Sequence, residues 1–249
     1  MPQINVSGIV LRCYDLGEKD QIVVLLTAES GKMRVVAKGA KRPGGRFAAA
    51  ASPFTEISAS VSLGRNLHTL NQVQIVSSHR HLRERLDRMA VALFITELVD
   101  HATVDAPGQS EFLALLALGL GALEGTEQPE LTLCFWLLQL LELSGLAPAF
   151  TYCASCQSEG RPLVALSARS GGLVCGRCTD AGSYRLPPTA VQLLGHLAAR
   201  SWEDYEQSGA VPLPVLITLC RALEQFVFYQ LEARPRSYEF LISLRPEFD

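Results

Sequence analysis

Four cysteines stand at C-x2-C-x18-C-x2-C spacing: Cys153 and Cys156 in "CASC", Cys175 and Cys178 in "CGRC". Each pair can offer two thiolates from one tight turn, and the 18 residues between them leave room for a hairpin that returns the chain. Zinc takes four such sulfurs tetrahedrally at about 2.3 Å, and the spacing is that of a zinc ribbon. The expected cofactor is therefore one Zn2+ held by Cys153, Cys156, Cys175 and Cys178. Four sulfurs leave no position for water or substrate, so the ion is expected to staple the fold and not to hydrolyse anything. Two facing pairs at ribbon spacing are better explained by one metal than by redox thiols.

A second cluster is cationic. Between Lys32 and Arg46 lie Lys32, Arg34, Lys38, Lys41, Arg42 and Arg46, and no Asp or Glu occurs between Glu29 and Glu56. Six cations in 15 residues can meet several phosphates, and counterions released from the polyanion then favour binding. Gly39, Gly44 and Gly45 let a backbone come close. Such a run can equally be a solvated loop, so its meaning depends on the element that carries it. Stacking aromatics are scarce: Phe47 and Phe54 flank the loop and read first as core residues. Contact with the strand's backbone is thus expected, not reading of bases.

Other chemistry is not supported. The five histidines (His68, His79, His81, His101, His196) show no ligand spacing. There is no G-x-x-x-x-G-K-[ST] phosphate loop and no G-x-S-x-G nucleophile turn. No enzymatic activity and no nucleotide cofactor are expected.

The elements that must position these groups fall into three regions, 1–80, 81–150 with 183–249, and 151–182. In the first, "INVSGIVLRC", "QIVVLLT", "MRVVAK", "TEISASVSL" and "LHTLNQVQIV" read as five strands, with strict alternation in the fourth. Five strands at this length suit a small closed β-barrel of the OB-fold type, which binds nucleic-acid strands through one face and its loops. From Leu82 the period becomes helical. "FLALLALGLGAL" and "LTLCFWLLQLLEL" are apolar on most faces, as buried helices are, and two further helices follow residue 183. The expected class is multi-domain α+β: a barrel, an all-α domain, and a zinc-ribbon-like module inserted in it.

The charge pattern agrees. The net charge of -3 hides +5 over residues 1–80, -7 over 81–150 and -1 over 151–249, and every lysine precedes residue 42. One surface is thereby suited to a polyanion. "MPQINVSGIV" lacks the form of a signal peptide, and the longest apolar stretch, Phe112–Leu123, is too short to span a bilayer. The expected location is the reducing cytoplasm, with no membrane partner. Seven cysteines there suggest metal and core roles, not disulfides.

The order of these parts resembles a known family. "GIVLRCYDLGEKDQIVVLLTAESGKMRVVAKGAKRPGGRF", "ASPFTEISASVSLGRNLHTLNQV", the inserted cysteine module and "RPRSYEFLISL" together resemble the bacterial DNA repair protein RecO family over nearly the whole chain. The resemblance implies an OB-fold, a helical domain and a zinc-binding module. It implies binding of single- and double-stranded DNA, annealing of complementary strands, and help in loading recombinase during recombinational repair. It also implies the partner RecR, the acidic C-terminal tail of the single-stranded-DNA-binding protein, and a nucleoid-associated location. Its cationic strand and loop correspond to Lys32, Arg34, Lys38, Lys41, Arg42 and Arg46. A zinc-ribbon factor that binds RNA, a thiol oxidoreductase and a metal-dependent nuclease remain the alternatives.

Overall fold

The computed structural model describes residues 2–42, 44–202, 204 and 209–245. Contacts divide the chain into two compact units, Met1–Gly125 and Thr126–Asp249.

In the first unit, β1 (Gln3–Leu16), β2 (Asp20–Thr27) and β3 (Gly31–Ala37) form an antiparallel meander, followed by β4 (Glu56–Ser62) and β5 (His68–Ser77). The ladder runs β1-β2-β3-β5-β4 and returns to β1, with β3 and β5 parallel. The apolar run of β2 is buried from Val23 to Leu26, and the alternating face of β4 puts Ile57, Ala59 and Val61 inside. Val23 and Leu25 join Ile57, Ala59 and Val61 in one core with Val6, Val10, Met33, Val35 and Phe47. One turn brings backbones unusually close. Gly31, at φ +69°, has no room for a Cβ, which would lie 1.9 Å from the Ala106 carbonyl oxygen.

A 3-10 turn (Arg80–Glu84) leads into α1 (Leu86–Ala102) and α2 (Ser110–Gly125), both packed on β1. The expected strands and helices are thus present, and the five-stranded sheet is continuous with the two helices that follow it.

The second unit is built on α3 (Pro129–Leu143), opened by Pro129 at its first position. Phe135 and Trp136 are fully buried, and 11 of its 15 residues are inside, as its uniformly apolar sequence demands. It packs against α5 (Leu213–Gln230) and α4 (Pro188–Ala198), and α6 (Ser237–Ser243) follows. Between α3 and α4 lies a small sheet in the order β7-β6-β8, from β6 (Leu163–Ser167), β7 (Gly172–Cys175) and β8 (Tyr184–Arg185). Among the described residues no helix is long and apolar enough to cross a membrane.

Candidate nucleic-acid interface and metal centre

Residues 38–42 leave the end of β3 as a chain of tight turns. The N–H of Arg42 donates to the Gly39 carbonyl at 3.1 Å, and that of Gly45 to the Arg42 carbonyl at 2.8 Å. A Cβ on Gly45 would sit 2.4 Å from the Gly39 oxygen, so glycine is what lets the turns stack. Three bonds fasten the loop to the β1–β2 end. Gly39 N–H donates to Asp20 Oδ1 at 2.8 Å, Lys41 N–H to the Lys19 carbonyl at 3.1 Å, and Lys41 Nζ to Asp15 Oδ2 at 2.8 Å. The basic loop is therefore anchored. The anchor also brings in Lys19, an exposed cation outside the basic interval that only the fold places beside Lys41.

The six cations singled out from sequence do not share one environment. Lys38, Arg42 and Arg46 are exposed, and among the described residues none of them has a carboxylate partner; the Arg46 guanidinium lies over the Phe47 ring at 4.6 Å. Arg34 and Lys41 are also exposed, but Arg34 Nη1 lies 2.7 Å from Asp105 and Lys41 reaches Asp15. Lys41 holds the Asp15 carboxyl below its ordinary pKa, by its hydrogen bond and then by its charge. Lys32 is different in kind. Its side chain is only 10% exposed, and its Nζ donates to Asp100 Oδ1 and to the carbonyls of Asp100 and Thr103. The acid-free stretch from Glu29 to Glu56 gave no hint of these carboxylates, which come from up to 71 positions away. Phe47 and Phe54 are buried, as expected of core residues.

The four expected metal ligands converge. The Sγ atoms of Cys153, Cys156, Cys175 and Cys178 all lie within 4.8 Å of one another. Ligands at about 2.3 Å in a tetrahedron are about 3.8 Å apart, and Cys156 and Cys175 stand at 4.0 Å. Each pair sits on a turn. The Cys153 carbonyl accepts from Gln157 N–H at 2.7 Å, with Gln157 at φ +57°, and the Cys175 carbonyl accepts from Cys178 N–H at 2.9 Å. The register Leu163↔Cys175 in the β6–β7 hairpin brings the second pair back to the first.

The sulfurs differ in how readily they ionise. Burial opposes ionisation of Cys153, but backbone N–H groups of Cys156, Cys175 and Ser155 outweigh it and bring its thiol down to about 6. The Arg177 backbone N–H does the same, in direction, for Cys175. Cys178 goes the other way, to about 11: Ser155 favours its thiolate, but the sulfurs of Cys156, Cys175 and Cys153 and burial prevail. Thiolates so close repel unless a metal ion lies between them. The donor set fits one tetrahedral, thiophilic ion with no open position.

A strand-ladder unit with a basic loop, followed by a helical unit enclosing a four-cysteine cluster, defines the class of the protein. Residues 1–79 match the family Recombination protein O N terminal, and residues 83–239 match Recombination protein O C terminal. Relatives of like length agree. The chain is 38% identical to the DNA repair protein RecO of Symbiobacterium thermophilum over 98% of this chain and 99% of that one. It is 37% identical to the RecO of Thermobifida fusca (82% and 84% covered) and 33% identical to that of a Nocardioides species (94% and 97%). The chain belongs to the RecO family of DNA repair proteins.

Proposed function

We propose that the chain binds single- and double-stranded DNA through its first unit, anneals complementary strands, and assists recombinase loading on strands coated by single-stranded-DNA-binding protein. The observation that carries this reading is the anchored basic loop: Lys38, Arg42 and Arg46 are exposed and, among the described residues, have no carboxylate partner, and Lys19 is held next to Lys41. In this reading the five-stranded ladder is an OB-fold barrel, and the cations meet phosphates at the barrel's end. Arg34 and Lys41 join by exchanging a carboxylate for a phosphate, while Lys32 supports the surface from within.

Annealing then needs no covalent step and no nucleotide, so the protein acts as a binder and not an enzyme. Two strands repel through their phosphates; a cationic surface lowers that repulsion, and contacts confined to the backbone leave the bases free to pair. One Zn2+ on Cys153, Cys156, Cys175 and Cys178 holds residues 151–182 together as a ribbon. RecR and the acidic tail of the coating protein are the protein partners, the tail docking on the helices. The place of work is the cytoplasm, on the nucleoid.

The test is annealing of two complementary oligonucleotides, bare and coated with single-stranded-DNA-binding protein, by the wild type and by the variant Lys38→Ala/Arg42→Ala. Acceleration of both by the wild type and its loss in the variant support the reading. Acceleration that survives the double substitution removes the loop from it.

A further inference from the structure

We propose that the second unit carries its own phosphate-binding site, between Arg161 and Arg177 beside the cysteine cluster, and that this site takes single-stranded DNA. It rests on the DNA-binding reading above and adds a second place of contact to it. An open groove of about 380 Å³ is lined by Arg161, Pro162, Val164, Cys175, Gly176 and Arg177. Arg161 lies two residues before β6 and Arg177 two residues after β7, both just beyond the Leu163–Cys175 pair that ends the hairpin. Both cations thus stand at the same end of the hairpin.

Among the described residues neither guanidinium has a carboxylate partner, in contrast to Arg34 and Lys41. Arg161 approaches only Cys156 Sγ, at 4.0 Å, which is too long for a strong ion pair. The sulfurs are served by a backbone amide instead: Cys175 N–H donates to Cys153 Sγ at 3.3 Å. The two side chains are left for something outside. A guanidinium fork suits a phosphate, which accepts two parallel hydrogen bonds. The groove between them has an apolar floor of exposed Pro162 and half-buried Val164, and Gly176 raises no side chain against an approaching strand. None of the groove's lining residues is aromatic, so contact is with the strand's phosphates and the bases stay free to pair; an unpaired strand is flexible enough to bring phosphates to both guanidiniums. A chain that grips phosphates at two places can hold two strands, as annealing requires.

The experiment measures binding of a fluorescein-labelled 40-nucleotide strand by anisotropy across a salt series. It uses six full-length proteins: wild type, Lys38→Ala/Arg42→Ala, Arg161→Gln, Arg177→Gln, Arg161→Gln/Arg177→Gln, and the fourfold variant. Each lost single-strand contact lowers the salt slope by about 0.7, so each double substitution should lower it by about 1.4 and the fourfold by about 2.8. Arg161→Gln/Arg177→Gln with the wild-type slope overturns the proposal, whereas an unchanged slope in Lys38→Ala/Arg42→Ala strikes the loop reading alone. Bound zinc is measured in each protein. If Arg177→Gln costs zinc, Arg161→Gln alone decides, since it lies outside both turns: a fall of about 0.7 supports the site and none refutes it. Wild-type DNA binding together with lost binding of an acidic peptide would assign the groove to protein and also refute the proposal.

Discussion

The ammonium of Lys32 lies 3.1 Å from Asp100 Oδ1, with 10% and 6% of the two side chains exposed, and Arg12 Nε meets the other carboxylate oxygen at 3.0 Å. A cation that sequence places among DNA contacts thus ties β3 to the end of α1. Removing one partner of a buried pair leaves the other uncompensated, which costs about 3–5 kcal/mol. Arg12 offsets part of this, so Lys32→Ala should lose about 2–4 kcal/mol in urea unfolding. The salt slope of DNA binding by the remaining folded protein should stay at the wild-type value. A stable Lys32→Ala protein with a reduced slope would make Lys32 a phosphate contact instead.

The same pair bears on where the first unit can be cut. A fragment ending at residue 80 lacks Asp100, the Thr103 carbonyl and Asp105, and so strips Lys32 of its acceptors and Arg34 of its partner. It also lacks α1 and α2, which cover β1. Residues 1–125 should melt cooperatively and residues 1–80 should not, by circular dichroism. Equal melting of the two fragments would show that the helices add nothing to the sheet.

Asp105 and Asp15 each hold an exposed cation, Arg34 and Lys41, that the DNA-binding proposal assigns to phosphate. Exposed pairs are worth about 0.2–1 kcal/mol, so Asp105→Asn should tighten single-strand binding by up to about fivefold at low salt. Weaker binding would mean that Asp105 orients Arg34 for DNA and does not compete for it.

The cysteine cluster makes a metal prediction. Purified protein should hold one zinc per chain, and Cys175→Ser should lose it together with several degrees of melting temperature, because ligation and folding of the ribbon are coupled. Zinc should also leave on acidification, since protons compete for the thiolates. Full zinc content in Cys175→Ser, with unchanged melting, would refute a four-sulfur site.

What could be read without coordinates follows from range. The run Val23–Leu26, the alternation in β4 and the uniformly apolar α3 declare their burial locally, and the cysteine spacing declares its own closure because both halves of each pair are neighbours. The division of labour among the basic residues was not legible. Arg34 and Asp105 are 71 positions apart, and Lys19 joins Lys41 through a backbone bond that composition cannot carry. The same holds for Asp100: nothing in "ELVDHA" marks it as the acceptor of a lysine on β3. Periodicity reports which face is buried, not which charge will meet which.

The second unit contains its own case of a charge pair hidden from sequence. Arg245 Nη1 donates to Glu224 Oε2 at 3.0 Å and its Nη2 lies 2.7 Å from Oε1, with side-chain exposures of 2% and 0%. The Sγ atoms of Cys134 and Cys220, 3.1 Å apart, belong to the same buried α3–α5 packing, and burial pushes the Cys220 thiol well up. Tyr238, its own hydroxyl raised to about 12 by burial and then by Glu224, closes the cluster. Arg245→Met should therefore cost about 3–5 kcal/mol near neutral pH, because Glu224 is left in an apolar site without its counter-charge. The sign of the pH dependence follows from desolvation. A lone buried carboxyl has a folded-state pKa above its unfolded value, so the folded variant binds a proton that the unfolded chain gives up. Its stability deficit against wild type should then shrink as pH falls towards 5 and grow as pH rises. Arg245→Met/Glu224→Leu should recover much of the loss at pH 7, since an apolar pair of similar volume needs no partner. A deficit independent of pH, or no recovery in the double variant, would show that Arg245 acts through packing of its stem and not through its charge.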